Sequence, residues 1–261
     1  MTLVLHELRR NKIFLAVWTG VISFMLGVCV MIYPEMSSQM GEMTDMFANM
    51  GSFTDAFGMD KLNFGEFMGY FGIECGNVLG LGGGFFAALV GTFALAKEEK
   101  DRTAEFLLTH PISRRRVVLE KLISVFLQII IMNISVVAVT SLCILAVGEE
   151  VSVGKMALIF LAYFIMQLEV GAITFAISAF IRNGGLGIGL GLAFGFYFIN
   201  IFSNLMDELE FLKFLTPYGY TDVGYIVNEY SLDLKYLLVG LMLSLLAVFV
   251  AFYKYEKKDI S

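Results

Sequence analysis

The sequence predicts an all-α, polytopic membrane protein that crosses the bilayer six times with both termini inside. Three observations carry that prediction: the composition, six long apolar runs, and the uneven placement of Lys and Arg. Of 261 residues, 58% are hydrophobic and only 16% charged, with a mean hydropathy of +0.77. A soluble domain has about 45–50% and about 25% respectively. So little polar surface cannot cover a water-soluble core, which excludes most cytosolic enzymes, and the same hydrophobicity excludes a disordered chain. The net charge of -6 speaks against a nucleic-acid binder, which needs a basic face, and three cysteines cannot frame a disulfide scaffold.

A helix needs roughly 20 apolar residues to cross a bilayer, and six runs supply them: 13–33, 75–96, 122–147, 156–181, 186–206 and 236–253. They are continuously apolar, whereas barrel strands alternate and are only about 9–11 residues long, so helices are expected. The first run follows Arg9, Arg10 and Lys12 as a signal peptide would, but it is too long for an apolar signal core. Val28 is too bulky for the residue before a lipoprotein Cys29, so processing there is not expected. Cys29, Cys75 and Cys143 all lie in apolar runs and read as small buried hydrophobes.

Basic loops resist translocation, so Lys and Arg set the orientation. With the N-terminus inside, the inner segments hold 14 of the 18 basic residues, leaving Lys61, Lys155, Lys213 and Lys235 outside. N-in and C-in follows, with outer segments at 34–74 and 207–235. In the first of these, Met36, Met40, Met43, Phe47, Met50 and Phe57 recur at helical spacing among acidic residues. An amphipathic helix or pair of helices is expected there, packed on the outer ends of the spans or touching a substrate or accessory protein.

The inner loop 97–116 is the most informative segment. Ala104, Leu107 and Leu108 make an apolar patch on a short helix ringed by Glu98, Glu99, Asp101, Arg102 and Glu105, and Pro111 ends it. Ser113 is placed to cap the third span. Arg114, Arg115 and Arg116 at that helix start oppose the macrodipole, so topology or a partner selects them. On charge pattern alone a solvated turn remains open.

The ordered series Glu99, Arg102, Thr103, Ala104, Glu105, Leu107, Leu108, Pro111, Ile112, Ser113, Arg114 and Lys121 resembles the same loop of type-2 ABC exporter permeases. The resemblance implies a cytoplasmic coupling helix that docks on a separate ATP-hydrolysing subunit, with Glu98, Glu99, Arg102, Thr103, Glu105, Leu107, Leu108, Pro111 and Arg114 at or beside the contact. It also implies a single permease domain over 1–261, two ATPase subunits, a second permease copy or relative, and a bacterial plasma membrane location. ATP and Mg would belong to the partner, with no cofactor in this chain. The turn Thr216, Pro217, Tyr218, Gly219 and Tyr220 resembles the family's break between short helices that dip back into the membrane. Arg102 stands where the family often has Gly. The implied activity is export, and the aromatic and Met-rich outer half suggests an amphipathic or apolar cargo, such as a peptide antibiotic or lipid-like molecule; a secondary transporter using Glu169 as a proton or ion site and a non-transporting scaffold are the rival readings.

No glycine in the chain is followed by Lys and then Ser or Thr, so the phosphate-cradling loop is absent and the energy source must be another polypeptide. Gly80, Gly82, Gly83 and Gly84 lie inside a span, where small residues let helices approach. Two lone histidines, His6 and His110, offer neither a metal site nor a triad, so no catalytic residues are expected. Gly187, Gly191 and Gly195 form a flat face on the fifth span, for packing within the chain or for a dimer seam, with Gly185 and Gly189 on the adjacent stripe. Glu169, mid-span, costs roughly 2.5–3.5 kcal/mol on insertion scales, so it is expected to face the interior. Gln128, Asn133, Gln167 and Asn200 lie near its depth. Either they join it in a structural polar network, or Glu169, Gln167, Asn133 and Asn200 line a translocation path.

Overall fold

The computed structural model describes residues 2–37, 62, 66–100, 113–181 and 185–257. These are all-helical: α1 (Thr2–Arg10), α2 (Lys12–Ser37), α3 (Phe67–Cys75), a π-helical stretch (Gly76–Gly83), α4 (Gly84–Lys100), α5 (Arg114–Val147), α6 (Val153–Ser178), α7 (Leu186–Leu205), a 3-10 turn (Asp207–Leu215), α8 (Val223–Glu229) and α9 (Leu234–Glu256). Six of these runs are long and apolar enough to cross a membrane, with α3, the π stretch and the start of α4 forming one of them.

Two spans begin earlier than the apolar runs suggest, for one shared reason. The second starts at Phe67 rather than 75, because Glu74 does not mark its end: the carboxylate accepts from the Cys29 thiol of α2 at 3.4 Å. The third starts at Arg114 rather than 122, because its polar first turns have partners. Ser113 accepts from the Arg116 amide, Arg116 reaches Glu120 at 2.8 Å, and Lys121 reaches Glu7. Partners, in the same turns or on neighbouring helices, let polar residues stay helical where hydropathy alone ends the span. The ends of the expected outer segment 34–74 therefore belong to α2 and α3; 38–61 lie outside the described residues.

The core is the seam between α4 and α6, the two most buried spans, with α5 and α9 packed on α6 and α7 packed on α4. Lipid supplies no hydrophobic drive between helices, so close approach of backbones has to provide the contact. Gly91 provides it. A Cβ there would sit 2.6 Å from the Gly171 carbonyl oxygen and 3.0 Å from the Phe175 amide nitrogen, both backbone atoms. Gly91→Val is accordingly expected to cost about 1–3 kcal/mol by overpacking and to lower the melting temperature in detergent by several degrees. A melt that matches the wild type would refute this seam. The outward faces of α2, α5 and α9 carry exposed apolar side chains such as Phe24, Leu142, Leu245 and Phe249, as a lipid-facing surface requires.

The π stretch, Gly76-Asn77-Val78-Leu79-Gly80-Leu81-Gly82-Gly83, follows from its composition. Glycine weakens α-helical bonding by roughly 1 kcal/mol per residue relative to alanine. The widened turn leaves carbonyls for tertiary donors: Gln167 donates to Leu79 O at 3.3 Å and Tyr218 to Gly80 O at 2.8 Å. Single π turns recur at functional sites.

Candidate functional site

The turn between α7 and α9 is folded into the bundle. Thr216, Tyr218, Tyr220 and Thr221 are all buried. A loop in apolar surroundings must satisfy its polar groups, and this one satisfies most of them through its own backbone, α6, α7 and the π stretch, the Tyr220 hydroxyl excepted. Thr216 Oγ1 donates to Phe196 O at 2.9 Å, Thr221 Oγ1 to Tyr218 O at 2.9 Å, and Tyr163 of α6 to Thr221 O at 3.3 Å. Tyr197 of α7 meets the Tyr218 ring edge-on at 5.8 Å. A side chain at Gly219 would collide with Lys213 O, which is why the turn carries glycine there. Burial pushes the Tyr218 and Tyr220 phenols above their ordinary range, so both stay protonated donors at neutral pH. The expected break at 216–220 is thus present, between the 3-10 turn and α8.

Beside this turn is a cavity of about 70 Å³ of mixed lining, with Asn77, Asn200, Asn204 and Asp222 beside Tyr163, Tyr197 and apolar groups such as Ile73 and Ile201. Asn200 thus lines this cavity together with Asn77 of the π stretch. Asn133 and Gln167 form their own network: Asn133 Nδ2 donates to Gln167 Oε1 at 2.6 Å and to Ile129 O at 2.9 Å. Gln128 turns back onto its own helix, donating to Ser124 O at 3.1 Å.

Glu169 joins none of them. Residues two apart on a helix differ by about 200°, so Gln167 and Glu169 face opposite sides of α6. The Glu169 side chain is fully buried against α9, where the absent side chain of Gly240 makes room: a Cβ there would lie 2.8 Å from Oε1. Tyr220 is the polar group that faces it: the hydroxyl and the carboxylate are turned toward each other, short of ideal hydrogen-bond geometry, and neither has another partner among the described residues. The Glu169–Tyr220–Gly240 cluster was not readable from spacing, since its members are 51 and 20 residues apart along the chain. A glycine in a span opposite a mid-span acid is the one signal that could have pointed to it.

At the end of the bundle rich in Lys and Arg, Glu98 and Glu99 fall in the last turn of α4; residues 101–112, including Arg102, Thr103, Glu105, Leu107, Leu108 and Pro111, lie outside the described residues. Arg114 opens α5 and donates to Glu256 O at 3.0 Å, while Arg115 pairs with the Glu256 carboxylate. The arginine cluster thus has a partner within the chain, at the C-terminal end of α9, where cations are favoured. Gly185, just before α7, and Gly189 within it pack against Thr92 of α4, the latter with a would-be Cβ 2.8 Å from Thr92 Oγ1. At Gly187, Gly191 and Gly195 a Cβ would meet nothing within 4 Å among the described residues, so this stripe packs against none of them.

The sequence pattern of the family described as "ABC-2 family transporter protein" matches residues 1–260. A search of curated proteins found no match. With six candidate spans and a family match over nearly its whole length, the chain belongs to the ABC-2 transporter family as a multi-pass membrane permease component of an ABC transporter, a class that works with an ATP-binding subunit.

Proposed function

We propose that the chain is the transmembrane half of an ATP-driven exporter, in which a partner's closure on nucleotide is passed to the spans through residues 98–111. One observation supports the reading: α4 continues from the bundle to Lys100, inside that segment, and α5 begins at Arg114, shortly after it. α4 enters it from the α4/α6 core, and α5 leaves it behind the Ser113 cap. Arg114 and Arg115 fasten the start of α5 to the end of α9. A push on the segment would therefore act on α4, α5 and α9 together. In this reading Glu98, Glu99, Arg102, Thr103, Glu105, Leu107 and Leu108 contact the partner, Pro111 ends the docking helix, and the termini are cytoplasmic. ATP and Mg are the partner's.

Two permease copies would share two ATP-binding subunits, meeting along the Gly187, Gly191 and Gly195 stripe. Its openness among the described residues supports that assignment. Gly191→Phe should leave the melting temperature within about a degree of wild type, because none of the described residues opposes it, while the fraction of paired copies counted by single-molecule photobleaching in nanodiscs falls at least twofold. An unchanged paired fraction would remove the stripe from the seam. Asn200 and its cavity are assigned to the path and Glu169 to a hinge between α6, α9 and the buried turn; Asn133 and Gln167 hold the π stretch. The cargo is taken to be amphipathic or apolar, such as a peptide antibiotic or lipid-like molecule, on the strength of the aromatic and Met-rich outer half of the sequence. Family membership favours ATP over an ion gradient at Glu169 as the energy source. The test of the assembly is co-purification in mild detergent from the native host: the tagged chain should retain an ATP-binding subunit, and its absence would count against the proposal.

A further inference from the structure

At the end of the bundle rich in Lys and Arg, α1 does not close fully on the spans. Between α1, the start of α2, α4 and α5 lies a second cavity of about 300 Å³. Three cationic side chains line it, Arg10, Lys97 and Lys121, against one carboxylate, Glu7. Lys121 is deeply buried and held by Glu7 Oε1 at 3.2 Å and Ala94 O at 2.6 Å, so its charge is fixed in the wall. Phe93 and Gln128 line it further in. Lys121 and Gln128 are seven residues apart on α5, so the slot runs about 10 Å along the helix axis, from a cationic mouth to a largely apolar floor with one amide.

The surroundings place that mouth at the boundary between membrane and water. Leu5 on α1 and Ile13 at the start of α2 are 55% and 71% exposed, positions that in a bilayer touch acyl chains. Glu120 accepts from the Leu3 amide at 3.1 Å, which fixes α1 across the end of α5. Basic pockets between spans at this level suit anionic headgroups, and the gradient from charge to apolar wall suits a molecule graded in the same way. A cavity of this size falls at the lower end of small-molecule sites.

We propose that this slot binds the phosphate headgroup of an anionic phospholipid, with Arg10, Lys97 and Lys121 facing the phosphate and the glycerol backbone and first acyl carbons lying along Phe93 toward Gln128. The lipid would brace α1 against α4 and α5, next to the entry of residues 98–111. The site is separate from the cavity beside the buried turn and does not depend on what the protein transports.

The test is native mass spectrometry of the purified, delipidated full chain offered equal amounts of phosphatidylglycerol and phosphatidylcholine, two lipids that differ in headgroup charge. Wild-type protein should retain the anionic lipid in roughly tenfold preference, and Arg10→Gln with Lys97→Gln should bring the ratio toward one. Lys97→Gln alone should fall between. Arg115→Gln, at an exposed arginine paired with Glu256 away from the slot, should keep the wild-type ratio. A second arm adds inorganic phosphate at millimolar concentration: retention should persist, and displacement would overturn the lipid assignment in favour of a free phosphate. Equal retention of both lipids by the wild type, or an unchanged ratio in the Arg10 and Lys97 variants with normal melting, would overturn the site itself.

Discussion

Exchanging Lys121 for methionine should destabilise the protein by about 3–5 kcal/mol and release α1 from the bundle. The pair with Glu7 is buried on both sides, at 3.2 Å. Removing the ammonium leaves a carboxylate enclosed by α1 and α5, and the cost of a buried, unpaired charge dominates the change. The pair itself is worth far less, because desolvation of both groups offsets most of their attraction. Lys121→Met combined with Glu7→Leu should therefore recover most of the loss, which a simple count of contacts would not expect. Thermal unfolding in detergent, with limited proteolysis near residue 11 as a report on α1, separates the two accounts: a double variant as unstable as the single would mean that the charge burial is not the cause.

The second large effect is expected at Gly240. A methyl group there would lie 2.8 Å from Glu169 Oε1 and 2.9 Å from Cδ, with the other carboxylate oxygen closer still, so α9 must shift or the carboxylate must turn. Gly240→Ala should cost about 1–3 kcal/mol, and Glu169→Ala in the same chain should remove the collision and most of that cost. A coupling energy above about 1 kcal/mol in that double-mutant cycle identifies direct contact; additive effects would show that the two residues do not meet. Glu169→Gln, which keeps the volume, should leave the melt near wild type, and if transport also stays unchanged the hinge role falls and Glu169 is structural.

Much of the helical layout was legible because lipid forces it. A chain with this hydropathy has to form long helices, and each of the six apolar runs lies largely within an observed span. Boundaries were less legible, since Glu74, Glu120 and Lys121 read as ends until Cys29, Arg116 and Glu7 are seen beside them. The Ser113 cap was readable from local chemistry alone, because a cap needs only its own first turn. Glu169 was correctly expected inside, but its neighbours were not, because similar depth in the membrane does not fix which side of a helix a residue faces. Gln167 turned to the π stretch and Glu169 to Gly240. The π stretch itself looked like ordinary small-residue packing, and only the captured carbonyls of Leu79 and Gly80 reveal its wider turn.

The central claim is mechanical: a nucleotide-driven partner moves this chain through residues 98–111. Its most direct test is the rate of ATP hydrolysis by the ATP-binding subunit in vesicles, measured alone, with the wild-type chain, and with a chain carrying Glu105→Ala and Leu108→Ala. The account predicts that the wild-type chain changes the rate and that the double variant, inserted at the same level, returns it to that of the isolated subunit. A double variant that modulates hydrolysis as the wild type does would contradict it.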